Sequence, residues 1–367
     1  MTESEIVARV LAHIDAGATD LSQASWREPV ANYLSQTRFD AELELLRRTP
    51  TPFCPSTSIS EAGEYVARMA AQTSILVVRG ADGVARAFRN ACRHRGAEIA
   101  CGAGRSKSFV CPYHGWRYGL DGALRGTPGP HGFPGLDKAT HGLRPLHTQE
   151  HAGLVFVTQN PQARGVDVAT LPAMFPEGMT CLSVSERELA ANWKVAAEGF
   201  LEGYHIRQTH RESFYPLQYE NLNVVEAFGR NSRITFPYQN IEKQRAFPPH
   251  ARHASGRSTF VYHLFPNVMI ATLPKRLLMV VLEPVSLGVT REIRYMLVEP
   301  EALASSRARI DKAIALDQQG AAEDRDVVEA IQRGLASDAN EAFEFGLFEG
   351  AIAHFHRNLH AALEEAM

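Results

Sequence analysis

Four side chains in the first third of this 367-residue chain restrict its fold and chemistry more than any other feature. Cys92-Arg93-His94 is followed, sixteen residues later, by Cys111-Pro112-Tyr113-His114. Two thiolates and two imidazoles make a four-ligand set with two candidate occupants. One is a tetrahedral zinc ion, and the other is a two-iron, two-sulfide cluster in which two His replace two Cys on one iron. Spacing separates them. Zinc fingers pair Cys with Cys and His with His, whereas here each short motif supplies one of each. That division suits two irons, Cys92 and Cys111 holding one and His94 and His114 the other. Neutral imidazoles raise the cluster potential, which fits an acceptor between a low-potential reductase and an oxygen-activating metal. Gly96 follows the first motif and Gly115-Trp116 the second, so backbone N–H groups can approach the sulfides. Cys101 breaks the spacing and is left out of the ligand set.

The remaining cysteines support a metal reading. Cys54, Cys92, Cys101, Cys111 and Cys181 are odd in number and too sparse for a disulfide framework. With 45% hydrophobic and 22% charged residues the composition is that of a globular protein. A net charge of -3 gives no electrostatic reason for a nucleic-acid or anionic-membrane partner. No apolar run approaches the roughly 20 residues that span a bilayer. Residues 1–20 mix Glu3, Glu5, Arg9, His13 and Asp15 with apolar positions, unlike a signal peptide. The expected compartment is the cytoplasm.

At roughly 150 residues per domain, about two domains are expected. Ile6, Val7, Val10, Leu11 and Ile14 recur at helical spacing, so residues 1–44 read as helices. Short strands are expected at 74–78, 84–89 and 153–158, with a Gly/Pro-rich loop at 126–142. Composition shifts at 160–167, the candidate linker. Residues 189–210 read as helical, 224–300 as mostly strands, and 301 to the end as helices. These boundaries give three segments: N-terminal helices over 1–44, a β domain carrying the Cys/His motifs over 45–165, and a second domain over 166–367.

That second domain holds a second constellation. NWKVAAEGFLEGYHIRQTH, from Asn192, carries Glu198, Glu202, His205 and His210. Iron(II) that activates O2 is typically held by two His and one carboxylate on one face, leaving open positions. On an ideal helix residues five apart differ by about 500°, so the helix must end or distort between His205 and His210, around Gln208-Thr209. By itself such a pair is more often surface or hydrogen-bonded than ligating. The upstream cluster reverses that, because a cluster needs somewhere to send electrons. The stretch 321–337 offers Glu323, Asp324 and Asp326 as the carboxylate, and helix-dipole stabilisation accounts equally for all three.

Taken together these motifs resemble the oxygenase α subunit of the Rieske non-haem iron, ring-hydroxylating oxygenases, over nearly the whole length. C-x-H-x16-C-x2-H followed by Gly-Trp resembles the cluster motif. Asn192-Trp193-Lys194, Glu198, Glu202-Gly203-Tyr204-His205 and His210 resemble the catalytic helix. Phe265-Pro266-Asn267 resembles a strand motif of the catalytic domain. Glu323-Asp324 with Gln332-Arg333-Gly334-Leu335 resembles the C-terminal ligand helix, and that match singles out Asp324.

The resemblance implies an α+β fold: a small antiparallel β domain for the Rieske [2Fe–2S] cluster, and a helix-grip catalytic domain, an antiparallel sheet around a long helix, for mononuclear Fe(II). It assigns Cys92, His94, Cys111 and His114 to the cluster and His205, His210 and Asp324 to the iron. It also implies a homotrimer in which the acid three residues before the first His bridges the cluster of one subunit and the iron of the next. That acid is most often Asp. Glu202 here resembles the carnitine-oxygenase-like branch, which acts on quaternary amines.

The expected function is the terminal oxygenase of a multicomponent system, drawing electrons from a separate NAD(P)H-dependent reductase, directly or through a ferredoxin, to hydroxylate or demethylate a small molecule. Gly102-x-Gly104 lacks the third Gly of a dinucleotide site, so the chain has no nicotinamide site of its own. Ring cis-dihydroxylation is the alternative reading. A zinc-stabilised binding module and a simple Rieske electron carrier are the remaining rivals. Phe200, Phe236, Tyr238, Tyr262 and Phe265 are candidate pocket aromatics.

Overall fold

The computed structural model describes residues 1–160, 174–175 and 178–365. The chain divides into two compact units, one of Leu46–Phe175 and one of Met1–Leu45 with Pro176–Met367. The expected linker at 160–167 lies, beyond residue 160, outside the described residues. No helix among the described residues is long and apolar enough to cross a membrane.

The smaller unit is a seven-stranded sheet whose neighbouring strands run antiparallel. Its order is Thr51–Pro55, Leu154–Thr158, Pro145–His151, Ala85–Arg89, Thr73–Arg79, Glu64–Ala70 and Gly102–Arg105. A three-stranded sheet of Phe109–Val110, Arg117–Tyr118 and Leu124–Gly126 carries the second Cys/His motif at one end. The core joins Leu76, Val78 and Phe88 of the large sheet to Phe109 and Tyr118 of the small one and to Trp116 of the loop before Arg117, with Cys92 and Cys111 buried among them.

The larger unit is built on a second seven-stranded antiparallel sheet. Its order is Thr180–Leu189, Val289–Val298, Arg276–Ser286, Val268–Leu273, Ser258–Leu264, Asn231–Pro237 and Val224–Phe228. Seven helices occur among the described residues: α1 (Glu3–Ala16), α2 (Ala31–Leu34), α3 (Gln36–Arg48), α4 (Trp193–Glu198), α5 (Ile206–Thr209), α6 (Pro300–Leu335) and α7 (Gly350–Glu364). The N-terminus of α1 is fixed by a capping box: Thr2 Oγ1 accepts the Glu5 N–H and the Glu5 carboxylate accepts the Thr2 N–H at 2.7 Å. Ile6, Val7, Val10 and Leu11 form its buried face, as their spacing predicts.

α4 is locked in place by the residues that open it. Asn192 Oδ1 accepts the Lys194 N–H at 3.0 Å, capping the helix, and its Nδ2 donates to the Tyr33 and Leu287 carbonyls. Trp193 Nε1 and Lys194 Nζ both donate to Glu42 Oε2, at 2.9 and 2.8 Å, with all three side chains buried. A buried ammonium persists only with such a partner. Burial lowers the pKa of Lys194, and Glu42 counters it.

Three expectations need correction. Leu189, expected to open a helical segment, ends the edge strand Thr180–Leu189, so helix begins only after Asn192. The segment 189–210 is two short helices, because the chain leaves α4 at Gly199 and re-enters helix at Ile206. The C-terminal region is interrupted by the strand Ala342–Phe345, which pairs antiparallel with Trp26–Pro29, a strand inside the segment expected to be all helix. Neither four-residue strand is long enough to show a period, and both are placed by long-range contacts, with Phe345 in the core and Trp26 and Phe343 packed against it.

Candidate active site

The two Cys/His motifs form matching loops. The Cys92 carbonyl accepts the Gly96 N–H at 2.8 Å while the Cys92 N–H donates to Ala97 O. Likewise the Cys111 carbonyl accepts the Gly115 N–H at 3.0 Å while the Cys111 N–H donates to Trp116 O. Gly96 and Gly115 sit at φ of 79° and 72°, where other residues are strained, which explains a Gly at the same place in each loop. Both Cys are buried and neither is in a disulfide. His94 and His114 lie towards the surface, ring centroids 4.8 Å apart, and His94 stacks on Trp116 at 5.0 Å and 8°.

The set fits a two-iron cluster better than one zinc. A tetrahedral zinc needs its ligand atoms within about 4 Å of one another. Among the described residues, no three of these four side chains bring ligand atoms together within 4.8 Å. Tyr118, fully buried, lies with its hydroxyl 3.2 Å from Cys92 Sγ and accepts the Arg93 N–H at 2.9 Å. Burial and the neighbouring Cys92 sulfur raise the pKa of this phenol, so it stays protonated and can donate to a metal-bound thiolate. Cys101 is exposed.

The second constellation converges. His205 and His210 flank the single turn α5, one at each end, and the helix stops at Thr209, so it ends between them at Gln208-Thr209 as the spacing requires. Their Nε2 atoms are 3.2 Å apart. Asp324, on α6, places Oδ1 2.9 Å from His210 Nε2 and 3.6 Å from His205 Nε2. Metal bonds of roughly 2.1 Å at right angles put ligand atoms about 3 Å apart, so these three atoms suit one ion. Each ring is held from behind: His205 Nδ1 bonds to Glu202 Oε1, and His210 Nδ1 lies 2.9 Å from Glu323 Oε2. Both rings therefore turn Nε2 to the common point, the tautomer a metal requires. Burial lowers the pKa of His205, but the Glu202 bond and the charges of Glu202 and Asp324 together outweigh it and the net shift is upward. Glu202 also accepts the Tyr204 and His205 backbone N–H groups.

The three open candidates for the carboxylate thus separate. Asp324 faces the histidines, Glu323 holds His210 and accepts a 2.5 Å bond from Ser213 Oγ, and Asp326 is exposed. The roles of Glu323 and Ser213 were not visible in the sequence, where an acid beside a ligand acid looks like a helix surface.

A cavity of about 640 Å³ opens onto this point. Phe200, Phe236 and Tyr238 line it as expected, while Tyr262 and Phe265 do not. Phe214, missed in the sequence, lines it too and packs on the His210 ring at 4.7 Å. Its walls also carry Arg187, Glu292 and Arg294. Burial lowers the pKa of Arg294, Glu292 opposes that and Arg187 adds to it.

Residues 179–365 match the family model described as ring hydroxylating alpha subunit (catalytic domain), and residues 49–140 match the Rieske [2Fe-2S] domain. The chain is 27% identical over 366 residues to the carnitine monooxygenase oxygenase subunit of Escherichia coli (strain K12), covering 92% of this chain and 94% of that protein. It is 26% identical over 329 residues to the chloroplastic choline monooxygenase of Beta vulgaris, covering 84% and 70%. Its fold matches that of the quaternary ammonium Rieske monooxygenase CntA in complex with L-carnitine, with a TM-score of 0.77, 23% identity, and 94% and 96% of the two chains covered.

Proposed function

The chain belongs to the ring-hydroxylating α-subunit family of Rieske oxygenases, and on that premise we propose that it hydroxylates a carbon bonded to the nitrogen of a quaternary ammonium compound. Enzymes of this family contain a [2Fe–2S] cluster that delivers electrons and a mononuclear iron that activates O2. Here Cys92, His94, Cys111 and His114 hold the cluster and His205, His210 and Asp324 the iron. The observation that carries the reading is the convergence of those last three ligand atoms at the cavity, with both histidine rings fixed by carboxylates. The substrate class follows from the relatives, which are choline and carnitine monooxygenases, and from Glu202 standing where most of the family has Asp.

The overall change balances as follows. A C–H bond of the substrate, O2, two electrons and two protons give C–OH and water. Hydroxylation next to nitrogen yields a hemiaminal; its hydroxyl loses a proton and the C–N electron pair leaves with nitrogen, releasing a tertiary amine, an aldehyde (formaldehyde if the carbon was a methyl) and H+. The electrons come from NAD(P)H through a separate reductase. Glu202 links the two centres: its carboxylate orients His205 and is available to a cluster histidine of a neighbouring subunit, which needs a ring-shaped homotrimer. The compartment consistent with such a reductase supply is the cytoplasm.

The test is an O2-uptake and product screen of the purified holoenzyme with NADH and a generic reductase. Carnitine, γ-butyrobetaine, glycine betaine and choline are compared with naphthalene and benzoate. Coupled O2 uptake with release of an aldehyde from a quaternary amine is expected. A cis-diol from an aromatic ring, with no turnover of any quaternary amine, overturns the reading. Asp324→Ala should keep the red-brown colour and lose mononuclear iron and product, and if Asp326→Ala does so instead, the ligand assignment is wrong.

A further inference from the structure

The charges lining the cavity are unequally satisfied. Arg276 is bound twice by Asp317, at 3.1 Å or less, Lys275 by Glu299, and Arg325 by Glu329. Arg187 and Arg294 share a single carboxylate, Glu292. Arg187 faces Glu292 across the strand pair, and Arg294 lies two residues beyond Glu292 on the same strand, so all three occupy one face of the sheet. Arg187 is further tied to the Ala321 carbonyl at 3.3 Å. The Arg294 guanidinium carries five N–H donors, and among the described residues its hydrogen bond is the one from Nη1 to Glu292 at 3.3 Å. It also interacts electrostatically with Asp324.

One carboxylate between two half-buried guanidinium groups leaves a positive charge in the wall, with donors to spare. The carboxylates of the cavity are all committed: Glu202 and Asp324 to the iron centre, Glu292 and Asp317 to arginines. A cationic substrate therefore finds aromatic faces such as Phe214 and Phe236 but no free acid, whereas an anion finds Arg294 in the wall near the iron ligand Asp324, with Arg309 an exposed cation on α6. We propose that Arg294 anchors a carboxylate of the substrate, so that the pocket selects a zwitterionic betaine over a quaternary amino alcohol. This rests on the quaternary ammonium reading above and goes beyond it by assigning the second charged end.

The test is anaerobic titration calorimetry on the holoenzyme with four probes. Glycine betaine and choline share the trimethylammonium head and differ in carboxylate against hydroxyl. Their tert-butyl analogues, with carbon in place of nitrogen, repeat that difference without the cation. Wild type should bind each carboxylate about tenfold or more tighter than the matching alcohol. Arg294→Gln leaves Glu292 paired with Arg187, so no buried charge is orphaned. It should weaken both carboxylates by about that factor and change both alcohols by less than about threefold. Arg294→Lys, which keeps the charge and loses the fork, should fall between. The anchor is overturned if wild type shows no preference for carboxylates, or if Arg294→Gln retains it. Failure of the quaternary ammonium reading is separately visible, as equal binding of the nitrogen and carbon heads.

Discussion

Glu202 shows how much chemistry one carboxylate can carry. Its side chain accepts from His205 Nδ1 and from the backbone N–H groups of Tyr204 and His205, because the chain turns there instead of continuing as helix. A carboxylate so placed fixes the His205 tautomer and still has about one of its four lone-pair sites free. Glu202→Gln should retain cluster colour and iron content but slow reoxidation of the prereduced cluster, in the presence of substrate and O2, by about 100-fold, in line with the loss of an outer-sphere partner. Glu202→Asp should retain more transfer, since only reach changes. Rapid-mixing absorbance decides it, and reoxidation at the wild-type rate in the Gln variant removes Glu202 from the electron route. In the sequence Glu202 was visible through its spacing to His205. Glu323 was not singled out in its second role, since its bond to His210 depends on how α6 lies against α5.

At the scale of an element, α6 has to supply both Asp324 and room for the loop that carries His210. Gly320, buried near its middle, is the adjustment. A Cβ there would lie 2.2 Å from the Phe214 ring, which itself packs on His210. Ala in a helix interior ordinarily stabilises by about 1 kcal/mol relative to Gly. Here overpacking of about 1–3 kcal/mol opposes that gain. Gly320→Ala is therefore expected to leave the melting temperature unchanged or lower, and to reduce mononuclear iron while sparing the cluster spectrum. A higher melting temperature with full iron content would show that the ring moves away freely. The periodicity of residues 301–335 predicted the helix, and nothing in that period marked Gly320 as a contact, because its partner is a loop residue 106 positions earlier.

For the molecule, a buried network joins chain segments far apart in sequence. Glu28, wholly buried on the strand Trp26–Pro29, accepts from Trp26 Nε1 and Asn32 Nδ2 and contacts His360 at 3.0 Å. On α7, His356 Nε2 lies 2.8 Å from Glu198 Oε1, which also accepts from Tyr33 at 2.6 Å. Burial raises the pKa of Glu28, but the His360 bond, the His356 charge and the Asn32 and Trp26 bonds together outweigh it, lowering the pKa from 4.5 to about 2. A carboxylate whose folded pKa is depressed stabilises the fold fully above its unfolded value of 4.5, and that stability is lost as pH falls towards about 2. Glu28→Gln should therefore cost on the order of 2–3 kcal/mol near neutral pH and progressively less below about pH 4.5, followed as tryptophan fluorescence in urea. A wild-type-to-variant difference that is the same at both ends of that range rules out the proposed source.

The sequence alone was enough to single out the Cys/His quartet and the histidine pair as candidate ligands, since Cys92, His94, Cys111 and His114 lie within local loops and His205 and His210 flank one turn, so spacing encodes their geometry. It also showed strand-rich and helical segments, because long strands and long amphipathic helices show their periods, while the α+β class came from the family resemblance of the motifs. The tertiary structure decided what depends on contacts between distant segments: that Asp324 rather than Asp326 meets the histidines, that residues 26–29 and 342–345 form a sheet, and that Arg187 and Arg294 divide one carboxylate. Local pattern fixes which way a residue points along its own element. Which partner it meets depends on how elements far apart in the chain pack together, and no spacing within one segment records that.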